Sequence, residues 1–158
     1  MNLLTLENVS KSFTERMLFD HISLGINEGD KIGVIGINGT GKSTLLKIIA
    51  GLEDTDEGKR TCGNKLRIAY LPQTPVFDDT KSILANVCEG QTAKESYRNI
   101  TGEARSMLLK FGIADPEGSA STLSGGQKKR AALVRNLLTE SDMLVLDEPT
   151  NHVDATTR

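Results

Sequence analysis

One octapeptide, Gly36-Ile37-Asn38-Gly39-Thr40-Gly41-Lys42-Ser43, narrows the folds open to this chain more than anything else in it, because it fits G-x-x-x-x-G-K-[ST]. It follows a short apolar run, Lys31–Ile35, that reads as a buried strand. It opens a stretch, Lys42–Ala50, that reads as a helix with Gly51 placed to stop it. Glycines at these positions let successive backbone N–H groups converge on phosphate oxygens, and the helix start adds partial positive charge. Lys42 would reach the β- and γ-phosphates, and the Ser43 hydroxyl would hold Mg²⁺. The same residues could form a glycine-rich turn with a solvated lysine. A chance match in a chain this long, however, is of order one in a few hundred. Eight of the 15 glycines lie between Gly25 and Gly58, which concentrates special backbone geometry around this segment.

Composition bounds the rest. The chain has 158 residues, enough for one domain with a real core. Its formal net charge of −2 argues against a surface that is one continuous nucleic-acid footprint. Two cysteines, Cys62 and Cys88, make no disulfide framework and have no zinc-ligand spacing. No apolar run approaches a membrane span, and Met1–Phe13 lacks a signal-peptide core. The expectation is a single cytoplasmic domain without direct membrane insertion.

Along the chain, Leu3–Val9 and Ile22–Ile26 alternate as strands, with a turn at Asn27–Asp30. Leu66–Leu71 reads as a strand cut by Pro72, and Ser82–Val87 as a short helix. Thr101–Phe111 reads as a helix capped by Thr101, with Ala104, Met107, Leu108 and Phe111 on one face and Gly112 at its end. Gln127–Thr139 is the clearest helix, with an apolar stripe of Leu133, Val134, Leu137 and Leu138. Lys128, Lys129 and Arg130 read as its solvated face. Strands alternating with helices imply an α/β fold with a mostly parallel sheet, preceded by a more antiparallel start.

Two further segments carry chemistry. Met143-Leu144-Val145-Leu146 is an apolar strand ending in Asp147 and Glu148, at the carboxyl end where ligands of open α/β sheets bind. Asp147 suits a Mg²⁺ ligand, and Glu148, pointing elsewhere, suits polarising an attacking water. Leu123-Ser124-Gly125-Gly126-Gln127 opens the long helix with a natural cap and two side-chain-free residues; taken alone it reads as an ordinary Ser-Gly-Gly cap, and beside the phosphate loop as a second anion-binding start. Since one nucleotide does not need two helix starts so far apart in sequence, each would serve a different nucleotide when two copies meet face to face.

In this order and spacing the motifs resemble the ATP-binding-cassette (ABC) ATPases over essentially the whole chain. Gly36–Ser43 resembles their Walker A loop, LSGGQ at 123–127 their signature, and Met143–Glu148 their Walker B with catalytic glutamate. Tyr70-Leu71-Pro72-Gln73 resembles their glutamine loop, and Phe13 lies where an aromatic stacks on adenine. The resemblance implies a P-loop core with an N-terminal antiparallel β-subdomain and a small helical subdomain near 80–138. It also implies ATP and Mg²⁺ as ligands and a head-to-tail sandwich with a second cassette, from the same longer chain or a homodimer. Gly36, Asn38, Gly39, Thr40, Gly41, Lys42, Ser43 and Thr44 would hold the phosphates. Gln73 would contact Mg²⁺ or the water, and Ser124, Gly125, Gly126 and Gln127 would contact the partner's γ-phosphate.

Asp147-Glu148-Pro149-Thr150-Asn151-His152-Val153-Asp154 is similar to the soluble ABC-F branch, which acts on the ribosome, where transport cassettes usually carry S-A-L-D after Pro-Thr. Asn151–Asp154 would cross the dimer interface. The stretch from Gln73 to Leu123 leaves no room for the helical arm common in that branch. The chain also stops before a switch histidine or the strands that should follow, so a truncated cassette is expected. Three readings follow. The chain is part of a ribosome-acting ATPase, the motor of a transporter docked on a transmembrane permease, or an ATP-binding module that hydrolyses poorly.

Overall fold

The first strand owes its burial pattern to a change of parity partway along. The computed structural model describes residues 1–36, 41–91 and 97–149. These fall into two compact units, Met1–Ala69 with Ser141–Val145, and Tyr70–Glu140 with Leu146–Arg158. In the first unit, β1 (Asn2–Phe13) is flanked by β2 (Arg16–Asn27) and β3 (Glu57–Cys62), antiparallel on both sides. Leu4 and Leu6 point inward at even positions, then the register slips between Leu6 and Val9, and odd-numbered Val9 is buried instead. The loose alternation in sequence is that bulge. Opposite it, Gly58 has φ +85°, and a Cβ there would lie 2.3 Å from the Asn8 carbonyl oxygen. Only glycine fits.

Strand β3 is absent from the sequence reading. Its residues, EGKRTC, show no apolar alternation, which is reasonable for an edge strand paired on one side only. Lys31–Ile35 is the reverse case. Expected as a buried strand, it forms no regular strand among the described residues, and Ile35 is 96% exposed. An apolar run becomes a buried strand only when neighbouring strands take up its N–H and C=O groups, and no described strand does so here.

Helix α1 (Lys42–Ala50) has the expected bounds, and Gly51 closes it at φ +78°. The Arg60 guanidinium reaches across from β3 and donates from Nε and Nη2 to the Ile49 carbonyl at 3.1 and 2.9 Å, satisfying one of the carbonyls left open at the helix end. Strands β4 (Ile68–Leu71) and β5 (Met143–Leu146) pair as a parallel couple. Asp142 N–H donates to the Arg67 carbonyl at 2.8 Å, and Asp147 N–H to that of Leu71 at 3.0 Å, so both partners advance together. The Asp142 carboxylate also pairs with the Arg67 guanidinium at 3.1 Å. Antiparallel strands, a parallel pair and helices make the α/β class read from the sequence.

The second unit packs α2 (Ile83–Cys88), α3 (Tyr97–Lys110) and α4 (Gly125–Leu138) around Leu71, Phe77, Val87, Leu108 and Val134. Ala104, Ala131 and Ala132 are also fully buried there, small side chains that permit close helix approach. Three expectations need correction. Helix α3 begins at Tyr97, so Thr101 is interior and does not cap it, since no proline or glycine between Gln91 and Thr101 ends the pattern. In α4 the expected stripe holds for Val134, which is fully buried, and for Leu133 and Leu138, which pack against the core, but Ala131 and Ala132 are buried beside them and Leu137 is 46% exposed. Lys129, taken as solvated, is only 4% exposed. Among the described residues no helix is long and apolar enough to cross a membrane.

Gly58→Ala should lower stability by about 3 kcal/mol or more, because the added methyl must push the β1 backbone aside. Gly63→Ala, where nothing lies within 4 Å of the new Cβ, should change it by no more than about 0.5 kcal/mol. Urea unfolding of the two variants measures the contrast.

Candidate functional site

The first unit carries the phosphate loop. Asn38, Gly39 and Thr40 lie outside the described residues, as does Asn151–Asp154. What flanks the loop is defined. Gly41 takes φ +91° as the N-cap of α1, and a Cβ there would come within 3.0 Å of the Phe19 ring. Glycine at this position therefore answers to both backbone angle and space. Among the described residues no side chain caps the helix, and no acid occupies its first turn, so the N–H groups of Lys42, Ser43 and Thr44 precede the first intrahelical bond, Leu45 N–H to the Gly41 carbonyl at 2.9 Å. The Lys42 ammonium donates to the Gly36 carbonyl, drawing both ends of the loop together. Open N–H groups, an ammonium and no competing carboxylate fit a phosphate.

Phe13 ends β1 beside the turn into β2 and is 47% exposed, with Lys11 Nζ 5.4 Å from its ring centroid. Lys11 itself is buried, bonded to Glu53 at 2.9 Å and the Asp54 carbonyl at 2.8 Å. Its pKa is raised chiefly by Glu53. The cation that steadies the Phe13 ring thus stays charged.

The second unit carries the carboxylates. Asp147 is 2% exposed, and its N–H is fixed by the Leu71 carbonyl. Glu148 has φ +47°, a left-handed conformation rare outside glycine and doubly unusual before Pro149. Gln73 Nε2 donates to Glu148 Oε2 at 2.9 Å, so the structure brings together two residues 75 apart that the sequence singled out separately. It adds a third, Lys129, whose Nζ donates to the Gln73 backbone carbonyl at 3.1 Å. Burial lowers the Lys129 pKa, and the charges of Asp147 and Glu148 oppose that shift. Tyr70 is raised by burial and then by Asp147. Its hydroxyl is buried without a hydrogen-bond partner among the described residues. Neither Lys129 nor Tyr70 was read as a site residue. The available signal was that Lys129 stands three residues before Ala132, on the same helix face.

The start of α4 is a capping box. The Ser124 hydroxyl accepts from Gln127 N–H at 3.2 Å, and Gln127 Oε1 accepts from Ser124 N–H at 2.9 Å. The box satisfies its own third amide and leaves those of Gly125 and Gly126 ahead of the first intrahelical bond, Lys128 N–H to the Ser124 carbonyl.

The ABC transporter family model matches residues 19–151. A ribosome protection protein of Bacillus subtilis is 37% identical over 161 residues, covering 98% of this chain and 28% of its own length. An aliphatic sulfonates import ATP-binding protein of Rhodococcus jostii is 38% identical over 155 residues, covering 98% of this chain and 56% of its own. Among solved structures, a dimeric ATP-binding cassette in a post-hydrolysis state bound to ADP and Pi aligns with a TM-score of 0.81 at 25% identity, over 97% of this chain and 77% of that one. The chain spans just over half of the importer protein and less than a third of the ribosome protection protein.

Ser124→Ala should cost about 1 kcal/mol through loss of the cap, whereas Ser124→Asn, which can still accept from residue 127, should cost well under half of that. Thermal unfolding of both variants measures the difference.

Proposed function

The chain belongs to the ABC transporter family, and on that premise we propose that it binds Mg·ATP on residues 36–44 and hydrolyses it when a second cassette closes over the nucleotide. The observation that carries this reading is the uncapped, acid-free start of α1 behind Gly41, with Lys42 at the loop. Amides from Gly36 to Thr44 and the Lys42 ammonium take the phosphates, and the exposed Phe13 ring packs on the base. Ser43, Gln73 and Asp147 would hold Mg²⁺, which supplies charge neutralisation at the β- and γ-phosphates.

Glu148 orients a water for in-line attack on the γ-phosphorus and takes its proton as the bond to the bridging oxygen breaks. Gln73, bonded to Glu148, holds that carboxylate in place. From the second cassette, Ser124, Gly125, Gly126 and Gln127 cover the γ-phosphate and exclude water. The cassette partner lies elsewhere in a longer chain or in a second copy.

For the process served, we propose a soluble ABC-F type of ATPase acting on the ribosome. The Asp147–Asp154 sequence and the similarity to a ribosome protection protein support it. The alternative is the motor of a membrane transporter, supported by the similarity to an importer's ATP-binding protein.

Lys42→Ala should abolish micromolar ATP binding in a fluorescent-nucleotide titration, and retained micromolar affinity contradicts the phosphate assignment. Glu148→Gln should leave ATP bound in a stable pair, with turnover down about a hundredfold or more. Sedimentation with purified ribosomes, dependent on ATP in the Glu148→Gln protein, tests the ribosome reading. Partition into permease-containing membranes alone favours the transporter.

A further inference from the structure

We propose that Lys129 is a positioning residue for hydrolysis, which holds the Gln73 backbone and through it the Glu148 carboxylate. The inference rests on the reading of Glu148 given above. Lysine is among the residues least often buried without a partner, because removing an ammonium from water is costly. Lys129 is nevertheless 4% exposed, on the helix that Ser124 begins. Its ammonium donates to a main-chain carbonyl, that of Gln73, at 3.1 Å, and the negative charges of Asp147 and Glu148 act on it.

Gln73 is thereby held at both ends. Its carbonyl accepts from Lys129, and its side-chain amide donates to Glu148 Oε2 at 2.9 Å. Without the ammonium, the Gln73 carbonyl loses its hydrogen bond to α4, and Pro72 beside it has no N–H to offer as a substitute donor in the loop. The Gln73 side chain is then free to leave Glu148. The proposed mechanism gives Lys129 no contact with the phosphate or the attacking water. Lys129 fixes where the groups that make those contacts stand, and a displacement of about 1 Å in such groups can cost about a hundredfold in rate.

The test uses the full chain with its cassette partner and two variants. Lys129→Met keeps the volume and the buried stem but removes the donor, and Lys129→Arg restores a donor and charge. Two readouts are needed. The first is the side-chain amide resonance of Gln73, identified by its loss in Gln73→Ala. It should shift toward the free-amide position in Lys129→Met and return most of the way in Lys129→Arg. The second is Mg·ATP turnover, with kcat lowered about tenfold or more in Lys129→Met, KM within about threefold, and partial recovery in Lys129→Arg. An unmoved resonance overturns the proposal whatever the activity, and so does a moved resonance with kcat unchanged. A Glu148→Gln protein that hydrolyses ATP at the wild-type rate overturns instead the reading on which the proposal rests.

Discussion

Every α-helix begins with peptide N–H groups that its own backbone cannot satisfy, and the way each helix here meets that demand decides what its start can do. Helix α1 has no side-chain cap and no acid in its first turn, and it is preceded by a glycine at φ +91°. Helix α4 satisfies one amide internally through the Ser124–Gln127 box and leaves the two glycine amides in front. Helix α2 is also capped from its own sequence, by Ser82 accepting from Ala85 N–H at 3.0 Å, and it is only six residues long. Of these three helix starts, the one least provided for internally is the one behind the phosphate-loop motif. That is what an anion site requires, since a donor already spent on a side chain is not available to a ligand.

The second unit answers a different demand, the placing of charge in a small core. Its helices meet through alanines, which leaves space for a lysine stem to run inward. A buried ammonium is tolerable only where carbonyls and carboxylates face it, and Lys129 finds Gln73, Asp147 and Glu148. Asp147, itself 2% exposed, would be costly to bury without a cation nearby, so lysine and aspartate each make the other's position possible. The backbone adds its own constraint. Glu148 stands at φ +47° before a proline, a conformation worth of order 1–2 kcal/mol of strain that persists only where surrounding contacts over-determine it.

What could be read from the sequence was the part in which backbone geometry restricts residue type. Gly41 and Gly51 bracket α1 as expected, because left-handed φ leaves few alternatives to glycine. Strand β5 ends at its acids, and α4 starts at its cap. What could not be read depends on partners distant in sequence. Strand β3 has no pattern of its own and exists because β1 pairs with it. Lys31–Ile35 has the pattern without the partners. Lys129 stands between Lys128 and Arg130 in a run that is polar in sequence, while α4 buries Ala131 and Ala132 together with Val134 of the apolar stripe, so its buried face is wider than the large residues mark. Periodicity marks an apolar side; what packs opposite decides how far around the helix burial extends.

The two helix starts with open amides belong to different compact units, α1 to the first and α4 to the second. A chain needing only one anion site gains nothing from a second glycine-fronted helix start, and glycines at a helix start give up stability that an ordinary residue would supply. The cost is offset if the second start meets a nucleotide held by another cassette, which is how the proposed pairing uses it. On that arrangement α4 faces two ways along a short length. Ser124 to Gln127 are presented outward to a partner's phosphate, and Lys129, two residues on, is turned inward onto Gln73. The first turn of α4 and the Lys129 tie to Gln73 thus lie on one helix, and Gln73 in turn holds Glu148. On the proposed pairing, the residues that would engage a neighbour's nucleotide and the residue that holds this chain's own carboxylate loop share one helix.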